Sequence, residues 1–251
     1  MKNWDLHHHN LLGISHNMKL SENELIGNER THVQQMEQPR FAAHPEAVKA
    51  FMAMRDAALK DGIDLLPFSS YRDVKTQIRI WNKKFLGQKP LYNMAGEEIE
   101  YSTLSREEIV DAILGWSALP GASRHHWGSE IDVVDGAVMT TDYQVQLLPS
   151  EVQEGGIFYH LHQWLDENIH QFGFFRPYAK FQGGMFSEPW HLSFARVSVP
   201  AQQSLSLAII ERFIRSINIE GKDLVLKQLP SIFDQHITNI SLPDHLRIGE
   251  K

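Results

Sequence analysis

Two short segments, far apart in the chain, constrain its fold more than any other feature: Ser123-Arg124-His125-His126-Trp127-Gly128-Ser129-Glu130-Ile131-Asp132 and Glu188-Pro189-Trp190-His191. Together they offer the imidazoles and carboxylates of a catalytic zinc site, and a fold that uses them must gather those side chains around a common centre. Zinc in a hydrolase takes three ligands from His, Asp or Glu and keeps a fourth position for a water whose pKa it lowers to about 7. If His125, Asp132 and His191 hold one Zn2+, Glu188 is left over, three residues before a ligand and placed to receive the water's proton.

The chain contains no cysteine, so disulfides, thiolate ligands and a cysteine nucleophile are all excluded and any metal must use nitrogen and oxygen. Its 251 residues can bury a full core, and 42% hydrophobic with 22% charged residues is an ordinary globular balance. The formal charge of −7, with no cluster of Lys and Arg, argues against a nucleic-acid partner. No 18-residue apolar run could span a bilayer, and Met1 to Arg30 lacks the basic and apolar regions of a secretory signal. The chain as written is expected to be cytoplasmic, or periplasmic if a leader has been removed. Nothing in it specifies an oligomeric state.

Residues 1–40 are polar and without a period, and are read as an arm over the core; the run His7-His8-His9 has no carboxylate at useful spacing and is read as surface. From His44, Pro45 opens a helix with Val48, Met52, Ala58 and Leu59 near one face and Gly62 as its stop. Residues 63–70 predict a short, largely buried strand that Pro67 pushes toward a sheet edge. Val74, Ile78, Trp81 and Phe85 predict a second helix, which places Tyr71-Arg72 at a strand-to-helix junction. Residues 87–103 read as a hairpin or loop insertion, and Ser105 with Glu108 forms a capping box ahead of a third helix. A strand is expected from Ile131, a helix from Phe158 to Gly173, and a strand over Trp190–Val199. After Pro200 the pattern turns helical, with Leu207, Ile210, Ile214 and Ile217 on one face and a second stretch over 223–237 interrupted near Pro230. Strands mix with helices without βαβ regularity, so the class is α+β.

Elementary geometry leaves one ligand open. Neighbouring side chains of an extended segment point to opposite sides, so only one of His125 and His126 can face Asp132. An unbroken strand would favour His126, but a turn or bulge at Gly128 resets the parity.

Ser123-x-His125-x-x-Gly128-x-x-x-Asp132, Glu188-Pro189-Trp190-His191 and the upstream Ser70-Tyr71-Arg72 with Gln77 closely resemble the VanY-like D-alanyl-D-alanine carboxypeptidases, within the superfamily of lysostaphin-like endopeptidases and hedgehog domains. The resemblance covers roughly residues 41–198, leaving 199–251 as a helical C-terminal extension. It implies a small antiparallel sheet flanked by helices, with His125, Asp132 and His191 on one zinc ion. It also implies Glu188 as general base, Arg72 as the donor to an oxyanion or the substrate's terminal carboxylate, and Ser123 as a further donor to that carboxylate, with Tyr71 and Gln77 in the same substrate-binding module. The implied reaction is release of terminal D-Ala from a peptidoglycan stem peptide. An L,D-carboxypeptidase, a cross-link endopeptidase or a non-catalytic zinc-containing wall-peptide module would share the same ligands.

One residue departs from the family pattern: Glu130 stands where a small Ala is usual, two residues before the aspartate. Strand alternation puts it on the side of Asp132, adding charge near the metal or meeting a cationic substrate group, unless it stands in solvent at a strand end. Asp135, an odd step from Asp132, is expected to face away as a turn residue. Trp127 and Trp190 are expected to pack the walls, and His160, His162 and His170 to lie on a solvated or boundary helix face.

Overall fold

The computed structural model describes residues 19–243, so the His7-His8-His9 run lies outside the described residues. A capped turn α1 (Glu22–Leu25) leads into a hairpin of β1 (Gln34–Glu37) and β2 (Arg40–Ala43). Helix α2 (Pro45–Lys60) starts with Pro45 in its first turn, where a missing N–H costs nothing. Then follow β3 (Leu65–Ser69), α3 (Val74–Phe85), the small hairpin β4 (Leu91–Tyr92) and β5 (Glu98–Ile99), and α4 (Arg106–Trp116), which opens on the expected Ser105–Glu108 capping box. A 3-10 turn over Arg124–Trp127 delivers the chain into β6 (Glu130–Asp135). After α5 (Pro149–Val152), α6 (Tyr159–Asn168) and β7 (Phe174–Phe175), the strand β8 (His191–Phe194) precedes α7 (Ala195–Ser204), α8 (Leu207–Ser216) and α9 (Lys222–Ile232).

The sheet that matters for the site has the order β3-β6-β8-β7, with every pairing antiparallel. Its central strands carry the two motifs, and their register sets Asp132 directly opposite His191 and Glu130 opposite Ser193. Directly opposed residues share a face, so these four side chains lie on one side while Ile131, Val133 and Leu192 enter the core on the other. That core is closed by Phe51 and Met54 of α2 and Leu161 and Leu165 of α6. A second core lies between α3, α4 and the C-terminal helices. There Trp81, Ile113, Trp127, Ile210, Ile214 and Val225 are almost wholly buried, and Trp81 donates its indole N–H to the Glu220 carbonyl at 3.0 Å.

The α+β architecture of a small antiparallel sheet flanked by helices is as expected, and several local expectations are corrected. The strand predicted over Trp190–Val199 ends at Phe194, and helix α7 begins at Ala195 with Pro200 inside it. Val197, Ser198 and Ala201 are buried at helical spacing, and that packing outweighs the β-branched alternation. Pro230 likewise sits within α9 without breaking it. Strand β3 is at the sheet edge, as Pro67 requires, but is only partly buried: Leu65 is enclosed while Phe68 is 49% exposed. On α2 the buried stripe runs through Phe51 and Met54, leaving Leu59 in solvent.

His162 is buried, not on the solvated or boundary face expected for it. Its Nδ1 accepts from Arg176 Nη2 at 3.3 Å, and its Nε2 is enclosed without a partner. Burial, aided by Arg176, lowers its pKa to about 3. Because the folded value lies below the ordinary His value of about 6.5, this residue's contribution is intact above pH 6.5 and lost as pH falls toward 3. In urea unfolding, His162→Gln should reduce the loss of stability between pH 7 and pH 5 by about 2 kcal/mol; an unchanged pH dependence would contradict the assignment.

Candidate metal centre

Gly128 decides which histidine faces the cluster. It adopts the left-handed φ of 66° that closes the 3-10 turn, and a Cβ there would meet the His44 backbone nitrogen at 2.9 Å. The turn reverses the parity of an unbroken strand and brings His125 to Asp132. His126 points elsewhere: its Nδ1 donates to the Arg72 carbonyl at 2.6 Å, and its Nε2 accepts from Gly121 N–H at 3.3 Å. It is fully buried, with its pKa lowered to about 3 by that burial. His126 is thus a brace between the turn and the Arg72 backbone.

His125, Asp132 and His191 each direct one ligand atom inward, all within 4.8 Å of one another. Asp132 Oδ2 lies 3.4 Å from His125 Nε2, and Oδ1 lies 3.0 Å from His191 Nδ1. The outer nitrogens are both engaged. His125 Nδ1 is 2.8 Å from the Ser70 carbonyl, and His191 Nε2 is 2.8 Å from Glu130 Oε2. A carbonyl and a carboxylate only accept, so those nitrogens carry hydrogens and the inner nitrogens are the ones left to bind a cation. Asp132 Oδ1 is buried without a hydrogen bond. Two imidazole nitrogens converging on a carboxylate form a donor set that a divalent cation completes, and nitrogen and oxygen ligands in this number suit zinc.

The electrostatics are those of a dense buried cluster. Burial raises Asp132, but His125 and His191 outweigh it and hold the carboxyl well below its ordinary range. Burial lowers His191, yet Asp132 and Glu130 together lift it to about 10, so a proton and a cation compete for Nδ1. His125 is lowered, chiefly by burial. Glu188 is buried and pushed up to about 7 by that burial, with Asp132 adding to the rise against His191, Lys84 and Arg72. Its carboxylate stands 3.6 Å from His191 Nδ1. The loop that presents it is fixed at both ends by Glu188 N–H to the Tyr178 carbonyl and His191 N–H to the Glu188 carbonyl.

Arg72 faces this group from the β3–α3 junction, close enough for Asp132 and Glu188 to offset the burial that lowers its pKa. Its guanidinium is aimed by Gln77 Oε1 at 2.8 Å and Ser69 Oγ at 3.1 Å, while the Gln77 amide donates to the Ala118 carbonyl at 2.7 Å. Ser123 is buried beside the turn, and its hydroxyl has no hydrogen bond among the described residues. Tyr71 is turned to the N-terminal segment: its hydroxyl donates to the Glu29 carbonyl at 3.2 Å and its ring meets His32 edge-on.

Glu130 is not in solvent, since it is fully buried behind His191. Asp135 closes the strand end, accepting from the backbone of Asp64 and Ala137. Trp127 and Trp190 are packed walls, the latter stacked on Trp116. Sequence reasoning missed two neighbours. The Tyr178 ring lies 5.1 Å from His191, and Lys84 donates to Ser117 Oγ at 2.7 Å with its pKa lowered to about 8 by burial, Glu188 opposing. No motif flags Tyr178, whereas Lys84 follows Gln77 by two helical turns and was traceable by that spacing.

The central strands of the sheet carry Asp132 and His191 and the turn before β6 brings His125 to them, a His-Asp-His cluster that could hold a metal ion. The family described as VanY: D-alanyl-D-alanine carboxypeptidase matches residues 40–197, and the chain belongs to that family. An uncharacterized protein of Haemophilus influenzae is 35% identical over 121 residues, covering 47% of this chain and 92% of that one. A D-alanyl-D-alanine carboxypeptidase of Enterococcus faecalis is 28% identical over 146 residues, 57% of this chain and 44% of the relative. The solved structure described as VanYB in complex with D-Alanine-D-Alanine shares the fold, with a TM-score of 0.50 and 20% identity over 76% of this chain and 91% of that one.

The two adjacent histidines should separate cleanly on mutation. His125→Ala is expected to lower zinc content measured by plasma mass spectrometry, whereas His126→Gln should retain the metal. Full occupancy in the first variant, or loss in the second, would reverse the assignment.

Proposed function

We propose that this chain is a zinc-dependent carboxypeptidase that hydrolyses the terminal D-Ala bond of peptidoglycan stem peptides. The observation that carries this reading is the convergence of His125 Nε2, Asp132 and His191 Nδ1, with the Glu188 carboxylate 3.6 Å from the last. Membership of a carboxypeptidase family supports the reaction class, and the D-Ala-D-Ala named with a structure of the same fold supports the substrate. His125, Asp132 and His191 would hold one zinc ion, which when bound acts as a Lewis acid and lowers the pKa of water.

The chain's own residues supply the rest. Glu188, buried and raised toward neutrality, takes a proton from the attacking water and returns it to the departing amine, a task that needs a carboxylate able to hold and release a proton near pH 7. Arg72 offers a planar pair of N–H donors to the peptide's terminal carboxylate, and its clamp by Gln77 and Ser69 removes the entropy of finding that orientation. The uncommitted Ser123 hydroxyl is a second donor to the same carboxylate. Tyr71 serves indirectly by anchoring the Arg72 backbone to residues 29–32.

Incubation of zinc-loaded protein with a stem pentapeptide should release free D-Ala, detected by mass spectrometry; tetrapeptide and cross-linked muropeptides in the same panel distinguish L,D-carboxypeptidase and endopeptidase action. No product from any of them would sink the hydrolase assignment. Glu188→Ala should keep its zinc and lose roughly 10²- to 10⁴-fold in kcat. Arg72→Lys should raise KM, because an ammonium cannot reproduce a bidentate fork; an unchanged KM would remove Arg72 from the substrate.

A further inference from the structure

Glu130 plays no part in the proton transfers above, yet it is one of the most enclosed carboxylates in the molecule, with no exposed surface. Its two oxygens do different things. Oε2 accepts from His191 Nε2 at 2.8 Å. Oε1 accepts from the hydroxyls of Ser129 at 2.9 Å and Ser193 at 2.8 Å, and stands 3.3 Å from Arg124 Nη2. Arg124 is itself tied down, donating to Ser193 Oγ at 2.8 Å and to Gln202 Oε1 at 2.7 Å, with its guanidinium 4.8 Å above the Trp127 ring. A buried charge survives only when paired and hydrogen-bonded, and Ser129, Ser193, Arg124 and His191 supply that pairing and hold the carboxylate stationary.

Its register explains the direction of its effect. Glu130 pairs with Ser193 as Asp132 pairs with His191, so Glu130 and Asp132 lie on one face and hold the His191 ring between them. The ring cannot rotate to offer Nε2 inward without breaking its bond to Glu130. We propose that Glu130 is the positioning residue of the metal centre: with Arg124 and Ser193 behind it, it fixes His191 as an Nδ1 ligand and raises that ligand's basicity. The inference rests on the metal-site reading given above. It differs from that reading in needing no substrate and no turnover, and it assigns a role to the residue by which this chain departs from the family's small side chain. Carboxylates behind a metal-bound histidine commonly govern metal affinity in this way.

The test uses the full chain and zinc itself. Zinc dissociation constants are measured by competition with a chromophoric chelator for the parent, Glu130→Gln and Glu130→Ala, and the imidazole nitrogens of His191 are followed by long-range 15N–1H spectra. In the zinc-loaded parent, His191 should carry its proton on Nε2, far downfield, while His125 carries its proton on Nδ1. Glu130→Gln keeps an acceptor but loses the charge, so the Nε2 proton should move upfield and zinc should bind roughly 10-fold more weakly. Glu130→Ala should lose roughly 100-fold. A role confined to packing would lower the melting temperature of the metal-free variants but leave zinc affinity within twofold and the tautomer unchanged, and that result would overturn the proposal. If neither variant folds, the tautomer in the parent decides alone: zinc on Nε2 of His191 overturns it. A parent that takes up no zinc defeats the metal-site reading and this inference together, whereas normal zinc uptake with an indifferent Glu130→Gln defeats only this one.

Discussion

The pairing of β6 with β8 is the constraint from which the site follows. Placing Asp132 opposite His191 fixes two members of the His-Asp-His cluster by backbone hydrogen bonds rather than by side-chain choice, and the neighbouring pair of Glu130 and Ser193 supplies the support behind them. The third ligand does not come from the sheet. It arrives on a 3-10 turn whose closure needs the left-handed glycine at 128. A rigid ladder and one tight turn therefore set the ligand geometry, and the two large cores on either side hold both in place.

Much of this was legible from residues alone. The helix over 74–85, the Ser105 capping box, the edge position forced by Pro67 and the hairpin over 91–99 each rest on local chemistry that the chain expresses locally. Errors fell where tertiary packing overrides propensity. Alternation over Trp190–Val199 suggested a strand, but Ala195–Ser204 becomes a helix because burying Val197 in the first core and Ala201 in the second is worth more than β preference. The same limit applied to His162, whose enclosure depends on Arg176, a residue fourteen positions away that no helical period connects to it.

The site divides in a similar way. His125, Asp132, His191, Glu188 and Arg72 are brought to one place; the two segments themselves pointed to Asp132, His191 and Glu188, whereas the choice of His125 and the role of Arg72 rested on the family resemblance. Lone-pair directions were not readable: only the Ser70 carbonyl and Glu130 reveal which nitrogen of each imidazole faces inward. Parity could not separate His125 from His126 until the conformation of Gly128 was known. Glu130 could be placed on the correct face by alternation, but its enclosure depends on Arg124, Ser193 and the β8 strand, which converge only in three dimensions.

The Arg124 side chain also reaches the far end of the polypeptide. Gln202 accepts from it and donates onward to the Ile237 carbonyl at 3.1 Å, so an unbroken polar wire runs from the imidazole of His191 to a turn forty residues beyond the span that the family shares. The terminal helices therefore act as more than ballast for the hydrophobic interior. Through Gln202 of α7 they hold the Arg124 guanidinium that pairs with Glu130, and so help to fix the carboxylate behind His191.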